Sequence, residues 1–82
     1  MIHVLYFAWL RERAGTSRES VETRAPTVSA LVEELRARSE GHALAFSDLR
    51  AVRVAVDQKL ASFEAPLDGA REVAFFPPMT GG

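Results

Sequence analysis

The sequence predicts a single α+β domain: a mixed sheet with one main helix packed across it, followed by a flexible C-terminal Gly-Gly tail. Three observations point there. Val52, Val54 and Val56 alternate with Arg53, Ala55 and Asp57, the period of a strand that buries one face. Val28, Leu31, Val32 and Leu35 recur at i, i+3, i+4 and i+7, one apolar stripe on a helix of about three turns. Strand-like segments lie on both sides of that stripe, so a hairpin precedes the helix and further strands follow it, the order of an α+β domain. At 82 residues the chain is one domain with a modest core, and 48% hydrophobic residues suffice to build it.

Each element has its own signal. Residues 2–9, IHVLYFAW, are β-branched and aromatic, which suits a strand. Its alternation sets Ile2, Val4 and Tyr6 on one face and His3, Leu5 and Phe7 on the other. Both faces carry apolar residues, so one meets the core and the other calls for a second cover or a partner. Residues 10–14, LRERA, form a helical turn that Gly15 ends. The polar SRESVETRA, with Val21 at its centre, reads as an edge strand returning beside the first. Thr27 is the expected N-cap of the main helix. Its outer side runs from Glu33 and Glu34 to Arg36 and Arg38, acidic first and basic last, as the helix dipole prefers, and Gly41 is expected to end it. Residues 42–50 are ambiguous, a short helical turn being one reading. Asp57-Gln58 is a turn and 59–63 a short returning strand. Ala65 to Gly69 is a loop, in which Gly69 supplies a conformation closed to most residues. Residues 72–76 form the last strand. The folded domain spans 1–76 and the tail 77–82.

Composition narrows the function. The formal net charge is -1, with acidic residues mixed among Arg11, Arg13, Arg36, Arg38, Arg50 and Arg53. That gives no broad attraction to nucleic acid or to an anionic membrane. No apolar run approaches a membrane span. The N-terminus lacks a basic leader and a cleavage site and reads as a strand, so a cytoplasmic protein is expected. There is no cysteine, hence no disulfide, thiolate nucleophile or cysteine metal site. His3 and His42 are distant in sequence and suit structural or solvent roles better than metal ligation. Asp48, Asp57 and Asp68 fall at turns, which explains them without catalysis. Gly15, Gly41 and Gly69 are too dispersed for a phosphate loop. No metal, no cofactor and no autonomous enzyme activity are expected.

What remains is the ending, FFPPMTGG. Pro77 and Pro78 lack backbone N–H groups, cannot extend a sheet ladder and favour a polyproline-like course. They lift the end away as a semi-rigid arm. Gly81 and Gly82 have no side chains, so the backbone fits a narrow channel and the Gly82 carboxylate reaches into another protein's active site. A frayed end is the plainer account of Gly-Gly alone. A Gly-Gly that follows a final strand on a small strand-strand-helix-strand domain is the layout of ubiquitin-like β-grasp proteins.

The resemblance becomes specific in IHVLYFAWLRERAGT, PTVSALVEELRARS and VAVDQKLASFEAPLDGAREVAFFPPMTGG. These segments resemble the MoaD family of sulfur carriers, small subunits of molybdopterin synthase, close to the thiamine carrier ThiS. The likeness spans essentially the whole chain. EVAFFPPMTGG is its most distinctive part, and residues 40–51 are the least informative.

The resemblance implies a sequence of events at Gly82. An E1-like adenylyltransferase (MoeB-like) uses ATP and magnesium to adenylate the carboxylate, and a sulfur donor converts it to a thiocarboxylate. A carboxylate is a poor electrophile, and adenylation supplies its leaving group. Holding sulfur on a backbone carbon explains how a cysteine-free chain carries it. The tail then enters the large subunit (MoaE-like) and gives sulfur to cyclic pyranopterin monophosphate, where two sulfurs make the dithiolene that later holds molybdenum. Catalytic groups are expected on the large subunit, in a heterotetramer of two small and two large subunits. The resemblance also suggests that Phe7, Leu60 and Phe76 form an apolar docking patch beside the tail residues Pro77, Pro78, Met79, Thr80 and Gly81. A core position is the plainer role for each of the three. Other readings share the same fold and ending: a ThiS-like carrier for another pathway, a ubiquitin-like modifier joined to lysines through Gly82, and a plain interaction domain.

Overall fold

The structure is a computed structural model and describes residues 1–78. Its element order is β1 (Ile2–Tyr6), α1 (Trp9–Ala14), β2 (Arg18–Val21), α2 (Val28–Arg36), α3 (Glu40–Ala45), a 3₁₀ turn (Leu49–Ala51), β3 (Arg53–Val56), β4 (Lys59–Ala61) and β5 (Glu72–Phe76). The strands form one sheet in the order β2-β1-β5-β3-β4. First and last strands lie side by side and parallel at its centre, with Val4 opposite Val73 and Tyr6 opposite Phe75. The other pairings are antiparallel. This is the mixed sheet of a ubiquitin-like β-grasp domain.

The periodicities of β1 and α2 decide what is buried. Ile2, Val4 and Tyr6 face the core, and Val28, Leu31, Val32 and Leu35 meet them from α2. Between them lies an aromatic cluster. Phe46 packs edge-on to Phe75 at 4.8 Å, and Tyr6 stacks on Phe75 at 6.2 Å, separations that favour aromatic pairs. Thr27 caps α2 by accepting a hydrogen bond from the Ala30 N–H at 3.2 Å. The Val28 and Ser29 N–H groups donate to the Ala65 and Phe63 carbonyls. That helix end therefore spends its free donors on the loop after β4. Those contacts turn the chain away from the sheet edge, and β4 stops at Ala61 rather than running on to 63.

Other expected boundaries also change for physical reasons. β1 ends at Tyr6 because Ala8 takes a positive φ of 55° and turns the chain, so Trp9 starts a helix instead of ending a strand. Gly41 does not end the main helix: α2 stops at Arg36. Ser39 then caps a new helix, accepting from the His42 N–H at 3.0 Å, and Gly41 lies inside it. A side chain at Gly41 would collide with the backbone carbonyl of Arg13, so this glycine permits the close packing of α3 on α1. The ambiguous 42–50 segment contains most of α3 and enters the 3₁₀ turn, and it places Phe46 in the core.

Two turns hold as expected. Gly15 closes α1 at φ 83°. Asp57 and Gln58 both take positive φ, 49° and 70°, the left-handed pair that a two-residue hairpin needs. The Asp57 carboxylate also accepts the Arg71 and Glu72 N–H groups at 3.0 Å each, which pins the hairpin tip to the start of β5.

Candidate functional site

All three helices pack on one face of the sheet, and strand period determines what remains on the other. Leu5, Ala74, Ala55 and Leu60 are register partners in β1, β5, β3 and β4, so they form one row across the open face. Phe76, opposite Arg53, is one step nearer the tail. Phe7 continues β1 there, its N–H donating to the Phe75 carbonyl at 3.1 Å. A groove runs along β5 between these side chains. Leu5, Phe7, Ala74 and Phe76 line it, Glu72 and Gln58 form one end, and Pro77 and Pro78 the other.

The structure thus brings four of the expected docking residues together: Phe7, Phe76, Pro77 and Pro78. Phe7 is 49% exposed and Leu60 77%, so neither is a core residue. Phe76 is half-buried. Leu60 shares the face but not the groove, because β3 separates its strand from β5. Met79, Thr80, Gly81 and Gly82 lie outside the described residues. Leu5, Ala74, Gln58 and Glu72 join the groove without having been expected there from sequence. The alternation within β5, with Val73 and Phe75 inward, carries the signal for Glu72, Ala74 and Phe76.

The opposite side of β1 holds a polar cluster that sequence did not suggest. Glu19 on β2 accepts hydrogen bonds from the Tyr6 hydroxyl at 2.7 Å and from His42 Nε2 at 2.8 Å, and pairs with Arg38 at 3.1 Å. The Ser39 hydroxyl, 2.7 Å from His42 Nδ1, orients the imidazole. Burial pulls the Glu19 carboxyl upward, but the Tyr6 and His42 hydrogen bonds and the Arg38 charge outweigh it and hold the group below the ordinary glutamate range. Burial, and then the neighbouring carboxylate, push the Tyr6 hydroxyl far above its usual value, so it remains a donor. The cluster is closed on itself and staples β1, β2 and α3 together. His42 is thus a buried structural residue, and His3 is a surface one beside the Ser20 hydroxyl at 3.1 Å.

Among the described residues, no helix is long and apolar enough to cross a membrane. The face that could be covered is the open face of the sheet, at the point where the chain leaves for its Gly-Gly ending. The profile of the ThiS family matches residues 4–82, nearly the whole chain. The chain belongs to the ThiS family. Two relatives are similar along the full length of both chains. The molybdopterin synthase sulfur carrier subunit of Escherichia coli is 49% identical over 82 residues. The protein of the same name from Haemophilus influenzae is 37% identical over 82 residues. Among solved structures, a Pyrococcus furiosus protein described as molybdopterin converting factor, subunit 1 superposes with a TM-score of 0.72 at 27% identity, covering 95% of this chain and 97% of its own.

Proposed function

We propose that this chain is the sulfur carrier subunit of molybdopterin synthase, and that Gly82 carries the sulfur as a thiocarboxylate. The observation that carries the reading is the full-length, 49% identical match to a protein of that name. The described part of the chain supports it. A β-grasp domain presents an apolar groove, and Pro77 and Pro78, residues that favour an extended course, stand at its end.

The steps assigned to this chain are few. Its Gly82 carboxylate is adenylated by an E1-like partner that uses ATP and magnesium, and AMP leaves as a sulfur donor attacks the acyl carbon. The thiocarboxylate sulfur then forms a C–S bond to the pterin precursor in the large subunit, displacing an oxygen substituent from that carbon. Water cleaves the acyl C–S bond, which leaves the sulfur on the pterin and returns the Gly82 carboxylate for another cycle. Phe7 and Phe76 dock the domain, Leu60 widens the contact, and Pro77 to Gly81 guide the end inward. The catalytic groups for sulfur insertion belong to the large subunit, in a cytoplasmic heterotetramer.

Mass measurement of the C-terminal fragment, on protein taken from its own cells, tests this directly. The expected result is sulfur in place of one terminal oxygen on Gly82. An unmodified carboxylate, even after incubation with activating enzyme, ATP and sulfur donor, overturns it.

A further inference from the structure

The groove on the open face has one charged residue in its wall, Glu72. The Glu72 backbone is fixed: its N–H donates to the Asp57 carboxylate and its carbonyl accepts the Asp57 N–H at 2.9 Å. Its carboxylate makes no hydrogen bond or salt bridge among the described residues. The other acidic residues without a side-chain partner among the described residues, Glu12, Glu22, Glu40, Glu64 and Asp68, are exposed; the remaining ones have partners. Glu19 has Tyr6, His42 and Arg38, Glu33 has Arg36, and Asp48 has Arg50. Glu72 is half-buried at the end of the groove remote from Phe7, next to the Leu5–Ala74 pair, with Gln58 as the polar residue of the groove wall; His3, its register partner on β1, lies beside the Ser20 hydroxyl.

Water solvates that carboxylate while the groove is open. A protein surface laid over the groove removes the water. Burying an unpaired carboxylate is strongly unfavourable unless a cation or several donors face it. We propose that the partner covering this groove presents a basic side chain, arginine or lysine, to Glu72 from within an otherwise apolar surface. Arginine suits the position better, because its planar fork engages a carboxylate through two hydrogen bonds and is less strongly hydrated than an ammonium. The inference rests on the docking reading of the groove given above and specifies its partner's chemistry.

Strand geometry gives this pair a role. Glu72 opens β5 and Phe76 closes it, so the two are roughly 13 Å apart along the strand. The basic residue therefore sits well away from the channel that takes the tail. An apolar groove alone would accept a partner in either direction. A charge at the end opposite Pro77 and Pro78 permits one direction, the one that aims the tail at the reacting centre.

The test is titration of the purified large subunit of molybdopterin synthase with the full chain, its Glu72→Gln variant and its Phe7→Ala variant, at low and high salt. Glutamine keeps the shape and removes the charge. Because the Glu72 side chain bonds to nothing among the described residues, the melting temperature serves as a folding control and is expected not to move. The proposal expects Glu72→Gln to weaken binding about tenfold or more and to flatten its salt dependence. If Glu72→Gln binds equally or more tightly while Phe7→Ala binds more weakly, no cation faces Glu72; the inference is overturned and the docking reading stands. If neither substitution changes binding, the groove is not the docking face and both fall.

Discussion

Glu19 shows how much a single residue organises. It sits on an edge strand whose other polar residues face water, and it collects a phenol, an imidazole and a guanidinium from three different parts of the chain. Its folded-state carboxyl lies below the ordinary glutamate value of 4.5. The unfolded chain therefore binds this proton more readily than the folded one. The resulting stabilisation is complete above pH 4.5 and is lost as the pH falls through the lower, folded-state value. Glu19→Gln is expected to cost roughly 1–2 kcal/mol at neutral pH, from weakened hydrogen bonds to a buried acceptor. It should also flatten the decline of stability in acid. Urea unfolding from pH 3 to pH 7 reads both effects (roughly the span over which a glutamate titrates), and parallel acid limbs for the two proteins would refute the assignment.

At the scale of elements, the parts legible in the sequence are those with local causes. The α2 stripe, the Thr27 cap, the Gly15 stop and the Asp57-Gln58 turn follow from period and backbone preference within a few residues, and each stands where the sequence puts it. The α1–α3 contact has no such local signature. Gly41 looks like a helix terminator, because glycine usually is one; its real role depends on a carbonyl from a helix distant in sequence. Glu19 lacks a local signature for the same reason, since its partners converge only in the fold. The place of Phe7 on the open face is legible through strand alternation, whereas the neighbourhood of Glu72 emerges only when β1, β3 and β5 are laid side by side. Gly41 also inverts a common expectation. In an open helix, Gly→Ala gains up to about 1 kcal/mol. Here the added methyl meets the Arg13 carbonyl, and forcing two packed helices apart costs about 1–3 kcal/mol. Gly41→Ala should therefore destabilise the domain in thermal unfolding, and a stabilised variant would show that α3 is free to shift.

Across the whole molecule, the sheet has one buried and one open face, and β5 divides its neighbouring residues between them. Phe75 points inward, fully buried between Tyr6 and Phe46. Phe76 points outward into the groove beside Pro77. A domain of this size has a total stability of about 5–15 kcal/mol. Phe75→Ala is expected to remove about 3–5 kcal/mol of it, a large fraction of the whole. Such a loss lowers partner binding only through the fraction of chains that remain folded. Phe7→Ala takes away a side chain that is 49% exposed, so stability should change by no more than about 0.5 kcal/mol. On the docking reading proposed above its effect falls on the interface, where losing a central aromatic anchor costs about 2 kcal/mol or more in binding. Melting curves and large-subunit titrations on the same two variants give four numbers. Only a molecule whose core and docking surface lie back to back across one strand layer predicts opposite rank orders in the two measurements at a temperature where both variants are folded. Equal loss of stability and affinity in Phe7→Ala would make Phe7 part of the core's support and leave the groove without its anchor.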